Sequence, residues 1–416
     1  MTDDLSFEKR NILAIDLKSF YASVECVDRN LDPFEVPLAV CDPDRGENSI
    51  VMAVSPYMKR LGVPSRCRRK DLPVLPDLIL AVPRMSRYLE ISAQVNDIYL
   101  RHVDEQNLHV YSVDESFLDV TDFLRYSGTD DIGMAKIIEQ EIKEELGLVT
   151  CAGIGENLFL AKVAMDLEAK KRPDYTAKWT IEDIPSKLWP LSPLSQMWGI
   201  GPRMERRLNS IGFTKVGDIA AADPGTLVSA FGVIGGELWL HSHGVDRAII
   251  SKKENRNPKS LCVGQQLHLP ATGERILLLA KEMARELSVR LQKQNLTCSS
   301  FTLWTGGEEM FHRTVKFHRP MSTSQELETA ISAMAKDIGN RTIYSIGAMA
   351  SILTPSCEIQ LDLTTDWNLR ERDMSLDKTI NLIRGRYGPT SIMRLSSLTS
   401  DSTSIQRSTQ IGGHRA

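Results

Sequence analysis

The chain has 416 residues, 42% hydrophobic and 25% charged, with a formal net charge of −4. This length predicts several domains with a sizeable core, and the composition excludes both a disordered chain and a globally basic nucleic-acid binder. Any nucleic-acid site must come from local clusters of Lys and Arg.

The first ten residues are charged and lack an apolar signal core, and no stretch reaches the roughly eighteen apolar residues of a membrane span. The seven cysteines are scattered without a Cys-x-x-Cys pair, which predicts neither a disulfide framework nor a zinc site. Both features predict a cytoplasmic protein with no membrane partner. Ile12 to Asp16 is a short apolar strand running into an acid, and Phe20 to Arg29 has helical spacing, with Phe20, Val24 and Val27 on one side. Asp16 then sits at the carboxyl end of a strand, where open sheets collect ligands. Tyr21 falls in the first turn of the helix. Residues 31–80 contain Pro33, Pro37, Pro43, Pro56, Pro64, Pro73 and Pro76, too many for long helices. Short strands over Leu38 to Cys41 and Ile50 to Val54 and a short helix near Tyr57 to Leu61 fit better. Lys59, Arg60, Arg66, Arg68, Arg69 and Lys70 form a basic cluster with no acid among them.

Pro83 to Leu100 has a helical pattern and leads to Tyr-Ser-Val-Asp-Glu-Ser-Phe-Leu-Asp at 111–119. Strand-like runs His109 to Val113 and Phe117 to Val120 are separated only by Asp114, Glu115 and Ser116. Adjacent carboxylates repel unless a cation neutralises them, and a hard, oxygen-loving ion such as Mg²⁺ is the natural partner. A solvated acidic turn is the alternative. Together with Asp16, however, three carboxylates could surround one or two metal ions, the device used for in-line phosphoryl transfer. Met134 to Leu146 is an amphipathic helix stopped by Gly147, Leu148 to Gly153 is a strand, and Asn157 to Lys171 is a helix with a capping Asn. The order of these elements predicts an α+β domain.

From Ile181 to about Ile249 the chain is Pro-punctuated and helical. At its centre Gly199-Ile-Gly201-Pro202 joins a short helix to a second one opened by Pro202, and Arg203, Arg206 and Arg207 follow. Glycines there let backbone N–H groups approach a phosphate at a helix N-terminus, as in a helix-hairpin-helix with sequence-independent contacts; a tight helix connection is the alternative. Ser251 to Ser260 is polar, basic and unpatterned, as in a linker. Beyond it come strand Leu261 to Leu269, helix Glu274 to Gln294, strands Cys298 to Trp304 and Arg313 to Phe317, helix Thr323 to Gly339 and strand Ser345 to Leu353. Between Lys252 and Arg319 there are twelve Lys and Arg against six Glu and no Asp. Residues 368–416 predict one helix, Leu376 to Tyr387, then a Ser/Thr-rich mobile tail.

The segments Asp16-Leu-Lys-Ser-Phe-Tyr-Ala-Ser-Val-Glu25 and Ser112-Val-Asp-Glu-Ser-Phe-Leu-Asp119 resemble the metal-binding motifs of Y-family (translesion) DNA polymerases. They are most similar to the UmuC-like branch of Gram-positive bacteria and their mobile elements, and the likeness extends from about Asn11 to about Leu363. The resemblance implies an α+β right-hand polymerase with a palm at 1–30 and 81–180 and small fingers at 31–80. It implies a helix-hairpin-helix thumb at 181–250, a linker at 251–260, a little finger at 261–363 and a tail at 364–416. It implies low-fidelity, template-directed addition of dNTPs to a primer opposite damaged template, in DNA damage tolerance. Two Mg²⁺ ions, with Mn²⁺ as a substitute, would be held by Asp16, the Leu17 backbone carbonyl, Asp114 and Glu115.

Phe20 and Tyr21 would border the nucleotide, Tyr21 as the steric gate that leaves no room for a 2′-hydroxyl; a core aromatic is its other reading. Family members place a Tyr and an Arg on the triphosphate where Pro56 and Lys59 stand here, so only Lys59 can serve, as a point charge. Lys170 is the matching phosphate-binding lysine of the later helix, with Lys171 as the alternative. Gly199, Gly201, Arg203, Lys252, Lys253 and Lys259 would contact primer-template DNA. Gln360, Leu361 and Leu363 resemble a sliding-clamp-binding peptide, except that Thr364 stands where an aromatic is expected and Trp367 lies three residues further on. The resemblance adds a recombinase or accessory SOS proteins as partners of a monomer. A metal-dependent nuclease or phosphatase could use the same carboxylates, and an inactive DNA-binding homologue could keep them; the Phe20-Tyr21 gate, which hydrolysis does not need, favours the polymerase.

Overall fold

The computed structural model describes residues 5–252, 258–358 and 365–416, and the chain divides into two units, Met1–Glu254 and Asn255–Ala416. The first runs β1 (Ile12–Leu17), α1 (Phe20–Val27), β2 (Leu38–Val40), β3 (Ala53–Val54), α2 (Pro56–Arg60), β4 (Ile79–Ala81), α3 (Met85–Tyr99), β5 (Leu108–Val110) and β6 (Glu115–Asp119). It continues with α4 (Leu124–Ser127), α5 (Asp131–Leu146), β7 (Thr150–Gly155), α6 (Leu158–Val163), β8 (Thr176–Trp179), α7 (Pro202–Ser210), α8 (Val216–Ala220), α9 (Pro224–Phe231) and α10 (Val233–Ser242).

Ile12, Leu13, Ala14, Ile15 and Leu17 are all buried, the pattern of a strand covered on both faces. β1 accordingly lies at the centre of a five-stranded sheet ordered β5-β6-β1-β7-β8, antiparallel to β6 and β7. The register sets Asp16 opposite Glu115 on one side and opposite Cys151 on the other. α6 packs very closely on β7: a Cβ at Gly153 would fall 2.1 Å from the Ala161 carbonyl oxygen, and one at Gly155 2.3 Å from the Ala161 nitrogen. Only glycine allows that approach, and it carries α6 to the edge of the acidic hairpin.

The proline-rich stretch forms a small sheet, β3-β2-β4, with a third strand beyond the two expected; Ile50 makes only an isolated bridge to Arg68. The helix expected over Asn157 to Lys171 is interrupted. After α6 it widens into a π-helical turn, Ala164–Glu168, and tightens into a 3₁₀ turn, Ala169–Lys171. α7 to α10 share a core with α6, in which Phe159, Leu160 and Val163 pack with Leu188, Leu208, Ile219 and Leu238.

The second unit comprises β9 (Ser260–Ala271), α11 (Glu274–Lys293), β10 (Leu296–Gly307), β11 (Phe311–Met321), α12 (Ser324–Ala335), β12 (Ile343–Pro355), α13 (Trp367–Tyr387), α14 (Ser404–Ser408), β13 (Gln410–Ile411) and β14 (His414–Arg415). Its main sheet is antiparallel, ordered β11-β10-β12-β9, with a core of Leu279, Met283, Leu287, Phe301, Leu327 and Ile331 among others. Lys253 and the Gln360 to Leu363 peptide lie outside the described residues. Among those described, no helix is long and apolar enough to cross a membrane.

Residues 365–416 correct the expectation of a mobile tail with one short helix. α13 begins nine residues earlier than expected, with the Asp366 side chain accepting from Leu369 N–H at 3.0 Å. The missing apolar anchors are replaced by polar ones. Arg370, 5% exposed, donates to the Pro320 carbonyl at 2.8 Å, and Asp377 accepts from Ser324 N–H and Oγ at 2.7 and 2.6 Å and from Gln292 at 3.0 Å. Further on, Ser402 and Thr403 bond the buried Glu282, and Arg407 pairs with Glu286. Charge and hydrogen bonding, which hydropathy does not register, hold this segment on α11 and α12. Asp377→Ala strands the Ser324 donors in a buried setting and should destabilise the unit by about 1–3 kcal/mol. Chemical denaturation monitored by circular dichroism measures it, and an unchanged midpoint would remove Asp377 as an anchor.

Candidate functional site

Three chain segments converge at the end of β1. Leu17 N–H donates to the Asp114 carbonyl at 2.8 Å, and the N–H groups of Tyr111 and Ser112 both donate to the Glu115 carbonyl, at 3.0 and 2.9 Å. The acidic turn is thereby a tight hairpin fastened to the strand that carries Asp16. Ser112 Oγ donates to Asp114 Oδ1 at 2.6 Å and so orients that carboxylate.

α6 and its widened turn complete the site. Lys162 Nζ lies 2.7 and 2.8 Å from the two Glu115 carboxylate oxygens and 3.0 Å from Asp166. Lys170 Nζ lies 2.8 Å from Asp166 and 3.3 Å from Asp16. The result is an alternating chain of charge, Glu115–Lys162–Asp166–Lys170–Asp16, beside Asp114. Of the expected Lys170 and its alternative Lys171, Lys170 faces Asp16, whereas Lys171 is exposed. Lys162 and Asp166 are not among the expected residues. Their signal was the four-residue spacing Lys162, Asp166, Lys170, which stacks side chains along one helical face.

Burial pushes the Asp16 carboxyl above its usual range, Asp114 adds to the shift, and Lys170 opposes it. Glu115 is likewise raised by burial, against the pull of Lys162. Burial lowers Lys170, but Asp16 and Asp166 outweigh that and leave its ammonium raised. Four carboxylates here face two ammonium groups, an excess of two negative charges. That excess and the all-oxygen donor set fit hard divalent cations. The acids are nevertheless closed on the lysines: among the described residues no three His, Cys, Asp or Glu side chains are gathered as a metal site.

Phe20 is buried in the first turn of α1, and half-buried Tyr21 stacks on Tyr88 with centroids 4.5 Å apart at 23°. Tyr88 is anchored through its hydroxyl to Glu25, at 2.7 Å, which Arg84 also holds. Tyr21 is therefore backed by a rigid ring, and its other side faces the site, where Asp114 adds to the upward pull of burial on its phenol. Pro56 is buried at the first position of α2. Lys59, on the same helix, has a depressed ammonium because of crowding by protein and the charge of Lys170, while Asp16 and Asp114 act the other way.

The remaining candidates lie elsewhere. Gly199 has φ +91° and Gly201 caps α7, and a Cβ on either would meet nothing within 4 Å, so the turn is open to an incoming group. Arg203 is exposed, whereas Arg207 is occupied, donating to the Ala230 carbonyl at 3.1 Å. Lys252 and Lys259 are exposed.

Residues 15–166 match the impB/mucB/samB family, residues 182–213 the HHH motif of the IMS family, and residues 258–363 the impB/mucB/samB family C-terminal domain. A Bacillus subtilis (strain 168) protein named "Putative UV-damage repair protein UvrX" is 33% identical over 424 residues, covering 100% of both chains. DNA polymerase IV 2 of the same organism is 30% identical over 98% of this chain and 99% of its own. A solved Y-family DNA polymerase chimera aligns with a TM-score of 0.66 at 23% identity, over 83% of this chain and 99% of its own.

Lys162→Met removes the partner of a buried carboxylate, a loss of about 3–5 kcal/mol. The metal-free variant should unfold at a lower temperature, by differential scanning calorimetry, and added Mg²⁺ should recover part of the difference. An unchanged midpoint would mean that Glu115 does not depend on Lys162.

Proposed function

The chain belongs to the Y-family DNA polymerases, in the branch represented in Gram-positive bacteria, and on that premise we propose that Asp16, Asp114 and Glu115 carry nucleotidyl transfer during translesion synthesis. The observation that carries this reading is the excess of two negative charges at the register-paired ends of β1 and β6. A solvated acidic turn would not be half enclosed and cross-braced by two lysines. In this reading the three carboxylates and the Leu17 carbonyl hold two Mg²⁺ ions, with Mn²⁺ as a substitute. When bound, those ions activate the primer 3′-hydroxyl and neutralise the departing pyrophosphate.

The protein's own residues do the rest. Lys162 and Lys170 sit between the acids and offset their mutual repulsion. Lys170 and Lys59, the latter on α2, are the cations that bind the incoming triphosphate. Two point charges without a bidentate Arg or a phenol hydroxyl hold the triphosphate loosely, which suits a site that admits distorted template bases. Tyr21, stacked on Tyr88, presents a flat ring to the sugar. The Gly199 to Gly201 turn with Arg203, together with Lys252, Lys253 and Lys259, grips duplex backbone without reading sequence. The same reading assigns palm, thumb and little finger to the five-stranded sheet, α7–α10 and the β9–β12 sheet, with the Gln360 to Leu363 peptide addressed to the sliding clamp.

Asp114→Asn or Glu115→Gln should lower primer extension by about 10²–10³-fold, while fluorescence anisotropy finds primer-template affinity nearly unchanged. Extension near the wild-type rate would end the assignment. Separately, Tyr21→Ala should reduce the preference for dNTP over rNTP by about 10–200-fold. A preference equal to that of wild type would make Tyr21 a packing residue.

A further inference from the structure

The turn at Gly199 and the acidic hairpin are joined by a line of rings. Tyr111, whose N–H is held by the Glu115 carbonyl, places its ring 5.7 Å from Phe117 at 87° and 6.3 Å from Trp198 at 69°. Trp198 immediately precedes Gly199. It lies 6.0 Å from His241, whose ring stacks on Phe159 at 4.4 Å and 13°. Phe159 is on α6, the helix whose Lys162 holds Glu115 and sets its ammonium 6.0 Å from the centre of the Tyr111 ring. The circuit closes on itself: hairpin, Tyr111, Trp198, His241, Phe159, α6 and back to the hairpin.

Trp198 packs on the edge of the core that α6 shares with α7 to α10, but burial does not require Tyr111. Tyr111 is 49% exposed, so no core void needs its ring. An edge-on aromatic contact between exposed Tyr111 and the partly buried Trp198 has a preferred separation and angle, and so acts as a spacer where a flexible side chain could not. Its two ends are the backbone of the open glycine turn and the backbone of the acidic hairpin.

We propose that Tyr111 and Trp198 are positioning residues that fix the distance between the phosphate grip at Gly199 to Gly201 and the carboxylates at Asp114 and Glu115. A primer strand held by the turn then presents its 3′ end at the reacting position. This rests on the polymerase reading above. It implies that loosening the bridge leaves duplex binding intact and misplaces the primer end, an error to which rates are steeply sensitive.

The test compares wild type with Trp198→Ala, Trp198→Phe, Tyr111→Leu and the double variant Trp198→Ala/Tyr111→Leu. Primer-template affinity is measured by anisotropy, single-turnover incorporation at saturating DNA and dNTP by rapid quench, and folding by thermal unfolding. Trp198→Ala and Tyr111→Leu should each bind DNA within about twofold of wild type and incorporate roughly 10- to 100-fold more slowly. Trp198→Phe should restore most of the rate, and the double variant should be no slower than the worse single, because one contact is lost in each. If Trp198→Ala does not fold, the half-exposed Tyr111→Leu carries the test. Unchanged rates, rates that recover fully at saturating DNA, or losses that multiply in the double variant would overturn the bridge while leaving the polymerase intact. A folded wild type that binds primer-template and never extends it would overturn both readings.

Discussion

The alternating ion chain from Glu115 to Asp16 is the interaction on which the first unit depends. Carboxylates this enclosed would repel one another and resist burial, and each ammonium interposed between two acids offsets both effects. The sheet register makes the chain necessary, since antiparallel pairing of β1 with β6 places Asp16 opposite Glu115 whatever their side chains prefer. The helix makes it achievable, because α6 lies close enough to β7 for Lys162 to reach Glu115. Register, close glycine contact and helical spacing are thus three conditions on one site.

The π-helical turn, Ala164–Glu168, lies within the same ion chain, because it carries Asp166. The four-residue spacing of Lys162, Asp166 and Lys170 already places the three on one helical face. The turn between them is widened, a departure often found at functional sites, and beyond it Lys170 lies 3.3 Å from Asp16 while Lys171 is exposed.

Much of this was legible in the sequence where local pattern decides structure. An apolar run ending in an acid placed Asp16 correctly, and the same logic placed Asp114 and Glu115 at a strand junction. Gly-Ile-Gly-Pro gave the open turn and the Pro202 start of α7. Lys162 was missed because a lysine in an otherwise apolar helix reads as a solvated edge, and its burial depends on a partner from another segment. The Tyr111–Trp198 contact was invisible for a related reason: ring against ring at long separation leaves no periodic trace. The segment after residue 364 departs from the expectation of mobility because its docking uses Arg370, Asp377, Glu282 and Glu286, polar contacts that leave no trace in hydropathy. The outcome for β3 and β4 was set by prolines that shorten each strand without saying which neighbour it will find.

The crowding at Gly153 and Gly155 reaches beyond geometry into the gene. Every glycine codon begins with two guanines, and any single-base change at either position replaces the glycine with a side chain or a stop. A side chain at either site would collide with the backbone of α6 and displace the helix that carries Lys162. Six nucleotides in this reading frame, four of them fixed, therefore encode a clearance rather than a reactive group. In a random library selected for activity they should be as intolerant as the codons of the acids themselves, and an observer scoring essential positions would rank two residues with no side chain among them.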